Sequence, residues 1–214
     1  MSRVVSGSAG ERRKLLRVFD GLNRMHGERV WHWSRGSDPF EVAVGAILVQ
    51  NTSWSNAERA LANLRAAEAL TPESVGALDP QELARLVRPS GQYRQKARKL
   101  RELLETAEEA GGFGNLLALD PADLRQKLLA TWGIGGETAD AILLYAARRP
   151  SFVVDRYTMR LFLRLSLGPG PGAGPEEWKD YFEKSLGGGE SAARQELWAR
   201  YHGLVVLHCK HLCL

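Results

Sequence analysis

Two glycines and one downstream aspartate are the residues of this 214-residue chain best placed by type and spacing to do chemistry. In Trp132-Gly133-Ile134-Gly135-Gly136-Glu137-Thr138-Ala139-Asp140, Gly133 and Gly135 carry no side chain to keep an anion away. Bare backbone N–H groups at the start of a helix can then meet a phosphate, where the helix dipole also favours negative charge. The plainer reading of a Gly-x-Gly between two helices is a chain reversal. In Val153-Val154-Asp155-Arg156-Tyr157, Asp155 supplies one carboxylate, most simply the N-cap of a following helix. The two roles are compatible, because a carboxylate at a helix start can cap the helix and also stabilise positive charge that develops nearby.

Those residues must be held by something, and nearly every segment reads as helix. The spacing of apolar residues predicts helices over Glu11–Met25, Pro39–Asn51, Ser55–Ala67, Pro80–Val87, Tyr93–Ala110, Pro121–Thr131, Glu137–Arg148, Arg156–Leu167, Glu176–Leu186 and Ser191–Leu212. Asp38-Pro39, Thr71-Pro72, Asp79-Pro80 and Asp120-Pro121 each place a capping side chain before a proline at the first helical position. Strand alternation is missing, so the expected fold class is all-α. The loops least able to order themselves are Gly168–Pro175 and Gly187–Gly189. No internal repeat is evident.

A 44% hydrophobic content is enough for a real core at this length. The balance of 29 Lys and Arg against 25 Asp and Glu gives a formal charge of +4, which suits a polyanionic partner without requiring one. No apolar stretch reaches membrane-spanning length, and Met1–Lys14 lacks the apolar run of a secretion signal. A cytoplasmic, nucleoid-associated location and a monomer are expected, with no membrane partner.

The hairpin glycines and Asp155 together resemble the helix-hairpin-helix and catalytic aspartate of the endonuclease III superfamily of DNA glycosylases. The likeness runs by motif order from about Leu15 to Leu214. It implies two helical lobes with the active site in the cleft between them. One is a six-helix barrel with the helix-hairpin-helix over residues 36–149. The other joins the N- and C-terminal helices, residues 1–35 and 150–214, and carries Asp155. Gly133, Ile134, Gly135, Gly136 and Thr138 are then expected at the DNA backbone. They fix register and read no base.

Further motifs extend the resemblance. Val49-Gln50-Asn51-Thr52-Ser53-Trp54 is similar to the family segment in which a glutamine fills the hole left by an extruded base, which implies Gln50 as the duplex plug. An ordinary helix C-terminal amide is the competing reading of Gln50. Trp54 then falls on the cleft wall, where its indole could stack on a flipped base, with Trp31 and Trp33 as further pocket aromatics or plain core residues. Ser90-Gly91-Gln92-Tyr93-Arg94-Gln95-Lys96-Ala97-Arg98-Lys99 resembles the family's G-x-Y-x-x-K-A loop, which implies Gly91, Tyr93 and Lys96 at the DNA backbone, against a merely solvated basic helix face. Glu137 stands where the family's lyases carry the lysine that attacks the sugar, and a glutamate cannot form a Schiff base. The expected activity is therefore that of a monofunctional glycosylase.

A Trp-rich pocket with one carboxylate and no proton donor suits an N3- or N7-alkylated purine. Such a base is already cationic, leaves without protonation, and is drawn to aromatic faces by about 0.5 to 2 kcal/mol per contact. The tail from Leu197 to Lys210 resembles the bacterial 3-methyladenine glycosylase branch, which lacks the superfamily's iron–sulfur cluster. Cys209 and Cys213, four apart, would lie on one helix face where a disulfide is strained. Cys213 falls about where the family's first cluster cysteine would be, and two thiols do not make a four-cysteine cluster, so either the cluster is absent or the sequence is truncated. With His208 and His211 they form a Cys/His cluster, but zinc wants four ligands converging from more than one segment. No metal and no cluster are expected, and the hairpin is a candidate site for a monovalent cation. Lys210, in the cluster's place, is expected to face inward and be paired or modified, or else to snorkel to solvent. The leading function is excision of alkylated purines such as 3-methyladenine from damaged double-stranded DNA. The rivals are a bifunctional glycosylase and lyase on oxidised pyrimidines, and a non-catalytic helix-hairpin-helix DNA-binding protein in which Asp155 only caps a helix.

Overall fold

Proline-initiated, side-chain-capped helices dominate the chain, and the structure, a computed structural model, describes residues 9–29, 33, 37–188 and 191–213. Among these residues there are helices and connecting turns and no strand. The chain divides into two compact units, Arg35–Ala147, and Met1–Ser34 together with Arg148–Leu214.

The Arg35–Ala147 unit follows α1, Ala9–His26, in the chain, and begins with α2, Pro39–Leu48. Apart from its proline and Glu41, every residue of α2 is buried. A helix apolar all round belongs in the middle of its unit, and α2 packs against α3 (Trp54–Ala66), α6 (Tyr93–Glu109) and α9 (Gly136–Ala141). The unit also holds α4 (Pro72–Ala77), α5 (Pro80–Leu86) and α7 (Phe113–Ala118), which pack on α6, and α8 (Pro121–Ala130), which packs on α9. Asp38 caps α2 through the N–H groups of Phe40 and Glu41, and Asp79 caps α5 through that of Gln81. Asp120 opens α8 without any side-chain hydrogen bond to the helix, so there the proline alone sets the entry. The helices α4 and α7 are not among those that periodicity predicts, because six residues are too few to display a period.

The segment expected as one helix from Glu137 to Arg148 is α9 followed by a wider π turn over Ile142–Ala146, closed by the Ala147 N–H on the Ile142 carbonyl at 2.9 Å. The buried Asp140 takes two bonds from Arg125, at 2.8 and 3.2 Å, which lock α8 to α9.

The other unit comprises α1, α10 (Arg156–Arg164), α11 (Pro175–Leu186) and α12 (Ala192–His211). Its core is aromatic. Phe152 stacks on Phe182 at 4.2 Å, and Trp198, Tyr201 and Phe162 close in edge-on. Gly168 (φ +96°) marks a close approach, since a Cβ there would come within 2.3 Å of the Trp178 ring. The stretch leading to Asp155 is pinned from α11. Glu183 accepts from the Phe152 N–H at 2.9 Å, and Lys179 donates to Ser151 at 2.7 Å and to Glu183.

Candidate functional site

Asp155 caps α10 with one oxygen only. Its Oδ1 accepts from the Thr158 N–H at 2.7 Å and from the Thr158 hydroxyl at 2.8 Å. Its Oδ2 faces His202 Nε2 of α12 at 3.7 Å, and both side chains are buried. Burial pushes the Asp155 carboxyl up, but the hydrogen bond and charge of His202, together with the two bonds from Thr158, outweigh it and hold the group below the ordinary carboxylate value. The group is thus a buried anion with Oδ1 tied to α10 and Oδ2 facing His202.

His202 was not among the residues singled out from sequence, although a signal for it exists. It shares the buried stripe of α12 with Trp198, Val205, Val206 and Cys209, and a histidine in an apolar register must find a partner. Lys210 is exposed in the last turn of α12 rather than turned inward. The protein around its ammonium lowers its pKa, and the charge of Asp155 acts in the opposite direction.

Cys213 lies beyond the end of α12, so the two thiols do not share a helix as their spacing suggested, and both are free. Burial pushes Cys209 up to about 11, while Arg164, bonded to Cys213 Sγ at 3.0 Å, brings Cys213 below its ordinary value against the effect of burial. Arg160 holds the carbonyls of Cys209 and Cys213. His208 pairs with His26 at 3.2 Å. Among the described residues no group of three or more His, Cys, Asp and Glu could hold a metal ion. Cys209 Sγ rests on the Tyr157 carbonyl at 3.6 Å, so both thiols have protein partners.

In the other unit the hairpin turn is built by its neighbours. Gly133 has φ +81°, and a Cβ there would meet the Lys99 stem at 2.6 to 2.9 Å. Gly135 precedes α9 in an extended conformation with open space where a Cβ would be, and Gly136 opens the helix. The amides of Gly136 and Thr138 come before the first intrahelical bond, Ala139 N–H to the Gly135 carbonyl at 2.9 Å, where helix geometry offers donors to an outside acceptor.

Ile134 departs from its expected role at the DNA backbone. Its side chain is buried and its N–H donates to the Thr131 carbonyl at 3.1 Å, so neither is on offer to a phosphate. The Thr138 hydroxyl is likewise buried and accepts from Gln50.

Gln50 is held by its own unit. Its Nε2 donates to Thr138 Oγ1 at 2.9 Å and to the Gly133 carbonyl at 3.3 Å, and its Oε1 accepts from Lys99 Nζ. The residue expected as duplex plug therefore braces the α2–α3 connection against the hairpin. The Thr131 carbonyl accepts from the Ile134 N–H and the Gly133 carbonyl from Gln50, one bond each.

Lys96, also expected at the DNA backbone, is buried and spent inside. Its Nζ donates to the Leu48 carbonyl at 2.8 Å and the Ser90 carbonyl at 2.5 Å, closing the C-terminus of α2. Burial, with the Lys99 charge adding, brings its pKa down to about 8. The signal was in the register, because Lys96 falls on the stripe of Ala97, Leu100, Leu103, Leu104 and Ala107.

Gly91 (φ +68°) is exposed and Tyr93 half-buried under Arg94. Exposed Trp132, at the turn itself, carries the Arg98 guanidinium 3.9 Å above its ring. Neither Lys99 nor this pair was singled out in advance. Trp54, the first residue of α3, is half-buried and donates its indole N–H to Glu58 at 2.6 Å, so it is not a core residue. Trp33 is half-buried. Trp31 lies outside the described residues.

Comparison with known proteins agrees with this architecture. Residues 44–186 match the model of the HhH-GPD superfamily base excision DNA repair protein family. A protein of Methanocaldococcus jannaschii, provisionally named a DNA repair glycosylase, is 42% identical over 202 residues, 93% of this chain and 88% of that protein. Endonuclease III of Thermotoga maritima is 29% identical over 177 residues, covering 83% and 76%. The crystal structure of the H. pylori 3-methyladenine DNA glycosylase bound to 1,N6-ethenoadenine superposes with a TM-score of 0.78 at 30% identity, covering 94% of this chain and 97% of that one.

Proposed function

Since the chain belongs to the HhH-GPD superfamily of base excision DNA repair proteins, we propose that it is a monofunctional DNA glycosylase, acting as a single chain, that hydrolyses alkylated purines such as 3-methyladenine from duplex DNA. The observation that carries the reading is Asp155, a buried carboxylate held ionised, with Oδ1 committed to the α10 cap and Oδ2 outside that cap, facing His202. An anion so placed stabilises the sugar as the glycosidic bond breaks and orients the attacking water. In the other unit, the first amides of α9 and the Gly135 turn hold a backbone phosphate without reading sequence.

Two features support the lesion class. The structural likeness at 30% identity is to an enzyme named for 3-methyladenine. Trp54 offers a half-buried indole whose N–H is bonded at the ring edge to Glu58, and an aromatic face attracts a cationic purine. The absence of lyase chemistry rests on Glu137, exposed in the first turn of α9, where a carboxylate replaces an amine. Incubating the protein with a panel of duplexes carrying alkylated purines, oxidised pyrimidines or uracil, and separating the freed bases, tests the reading. Alkylpurine release without borohydride trapping is expected. Release of an oxidised pyrimidine with a trapped covalent complex would overturn it.

A further inference from the structure

We propose that His202 is the positioning residue of the Asp155 carboxylate: from α12 it faces Oδ2 and keeps that oxygen aimed and ionised, while Oδ1 stays tied to α10. The inference rests on the reading of Asp155 as the reacting carboxylate.

The argument starts from what a buried carboxylate needs. Taken out of water among neutral groups, it tends to take up a proton, and the acid form has no charge with which to meet a sugar cation. The two bonds from Thr158 both fall on Oδ1 and fix one edge of the group. Oδ2 would then be free to turn or to protonate. His202 stands 3.7 Å from it, itself buried between the two aromatic and aliphatic turns of α12 that hold Trp198 and Val206.

The titratable groups that act on Asp155 from the packed elements are His202 and Lys210, both on α12, while α10 presents the neutral Thr158 hydroxyl. Lys210 is exposed overall although protein around its ammonium lowers its pKa, and the groups that hold the Asp155 carboxyl down are His202 and Thr158. His202, in the same dry surroundings as the carboxylate, acts with little screening.

The prediction is a change in pH dependence rather than a simple loss. In the parent the carboxylate lies below the ordinary range and stays ionised through the working pH. Without His202 the effect of burial is no longer opposed from the Oδ2 side, so an acid limb moves up into that range. Single-turnover release of 3-methyladenine from methylated duplex DNA is measured for the parent, His202→Phe and His202→Gln between about pH 5.5 and 8.5. For both variants the rate relative to parent should fall by roughly tenfold or more from the alkaline to the acid end, and come within about threefold of parent at the alkaline end.

Affinity for undamaged duplex should not change. A ratio that is lowered equally at every pH would make His202 a structural residue only, and a ratio near one throughout would remove it from the site. His202→Gln keeps a polar side chain and carries the test if the phenylalanine variant does not fold. Asp155→Asn is run alongside: if it releases base at the parental rate, the reading of Asp155 itself has failed, whatever the His202 variants do.

Discussion

Gln50 and Asp155 are each held by two elements of their own unit, but in opposite ways. Gln50 spends both ends of a neutral amide, on Thr138, the Gly133 carbonyl and Lys99. Asp155 spends one oxygen on neutral Thr158, and what faces the other oxygen is the ring of His202. The hairpin network is thus built to fix geometry: a neutral amide at its centre bonds Thr138, Gly133 and the Lys99 ammonium, and the Lys99 stem fills the space beside Gly133. The Asp155 network is built to preserve a charge. The anchor should therefore respond to changes of shape, and the carboxylate to changes of charge.

The largest effect expected is on the second network. Asp155→Asn keeps size and capping ability but removes the charge, and base release should drop by roughly three orders of magnitude or more. Binding to an abasic-site duplex, measured in parallel, should stay within a few-fold. Release that survives within about tenfold of parent would show that charge is not what the network preserves.

Lys96 tests the anchor side, and through stability. Lys96→Met leaves the Leu48 and Ser90 carbonyls buried without their donor, at about 1–3 kcal/mol each. Its folded pKa, about 8, is depressed from 10.5, so the unfolded chain binds the proton more tightly. The sign follows: the parent gains stability relative to the methionine variant as pH rises from about 8 to about 10.5, and loses that gain on return. Denaturant unfolding at the two ends of that window, parent against variant, reads this difference. A constant gap would mean that Lys96 is not a buried cation.

Trp54→Ala should lower alkylpurine excision by about 1–3 kcal/mol while leaving abasic-duplex binding unchanged, because an abasic site has no base to stack. Equal losses on both ligands would return Trp54 to a packing role. The smallest contrast is between the two glycines. Gly133→Ala meets both a positive φ and the Lys99 stem, and should lose about 1–2 kcal/mol of stability along with affinity for undamaged DNA. Gly135→Ala, with room for a Cβ, should weaken DNA binding through the blocked approach to phosphate and leave thermal unfolding unchanged. Unfolding that shifts equally for both would erase the distinction between a glycine needed by the fold and one needed by the ligand.

What could be read in advance divides along physical lines. The all-α class, the proline-started helices and the position of Asp155 at the head of α10 follow from local signals: caps, fixed φ at proline, and a period of 3.6. What escaped is polar chemistry on an apolar face. Lys96 was expected at the DNA backbone because it is basic and in a basic stretch, yet its register on α6 is that of the buried leucines. His202 was passed over because it is surrounded by aromatic and aliphatic residues, and that setting is what makes it act strongly on Asp155. Lys99 and Gln50 meet across 49 residues of chain, a pairing that no local pattern encodes. Thr71-Pro72 announced the start of α4 but six residues showed no period, and α7 had neither signal.

The divided labour of the Asp155 oxygens also bears on how such a protein can evolve. Reactive groups often weaken the fold that carries them, so that their removal stabilises the protein and activity is easily lost. Here the oxygen on Thr158 makes the same residue a helix cap, a contribution of about 0.5–2 kcal/mol that an alanine would forfeit. Drift away from activity at this position is therefore not rewarded with robustness. The inactive side chains that the fold tolerates best are those that still cap, and asparagine and serine are the nearest of these.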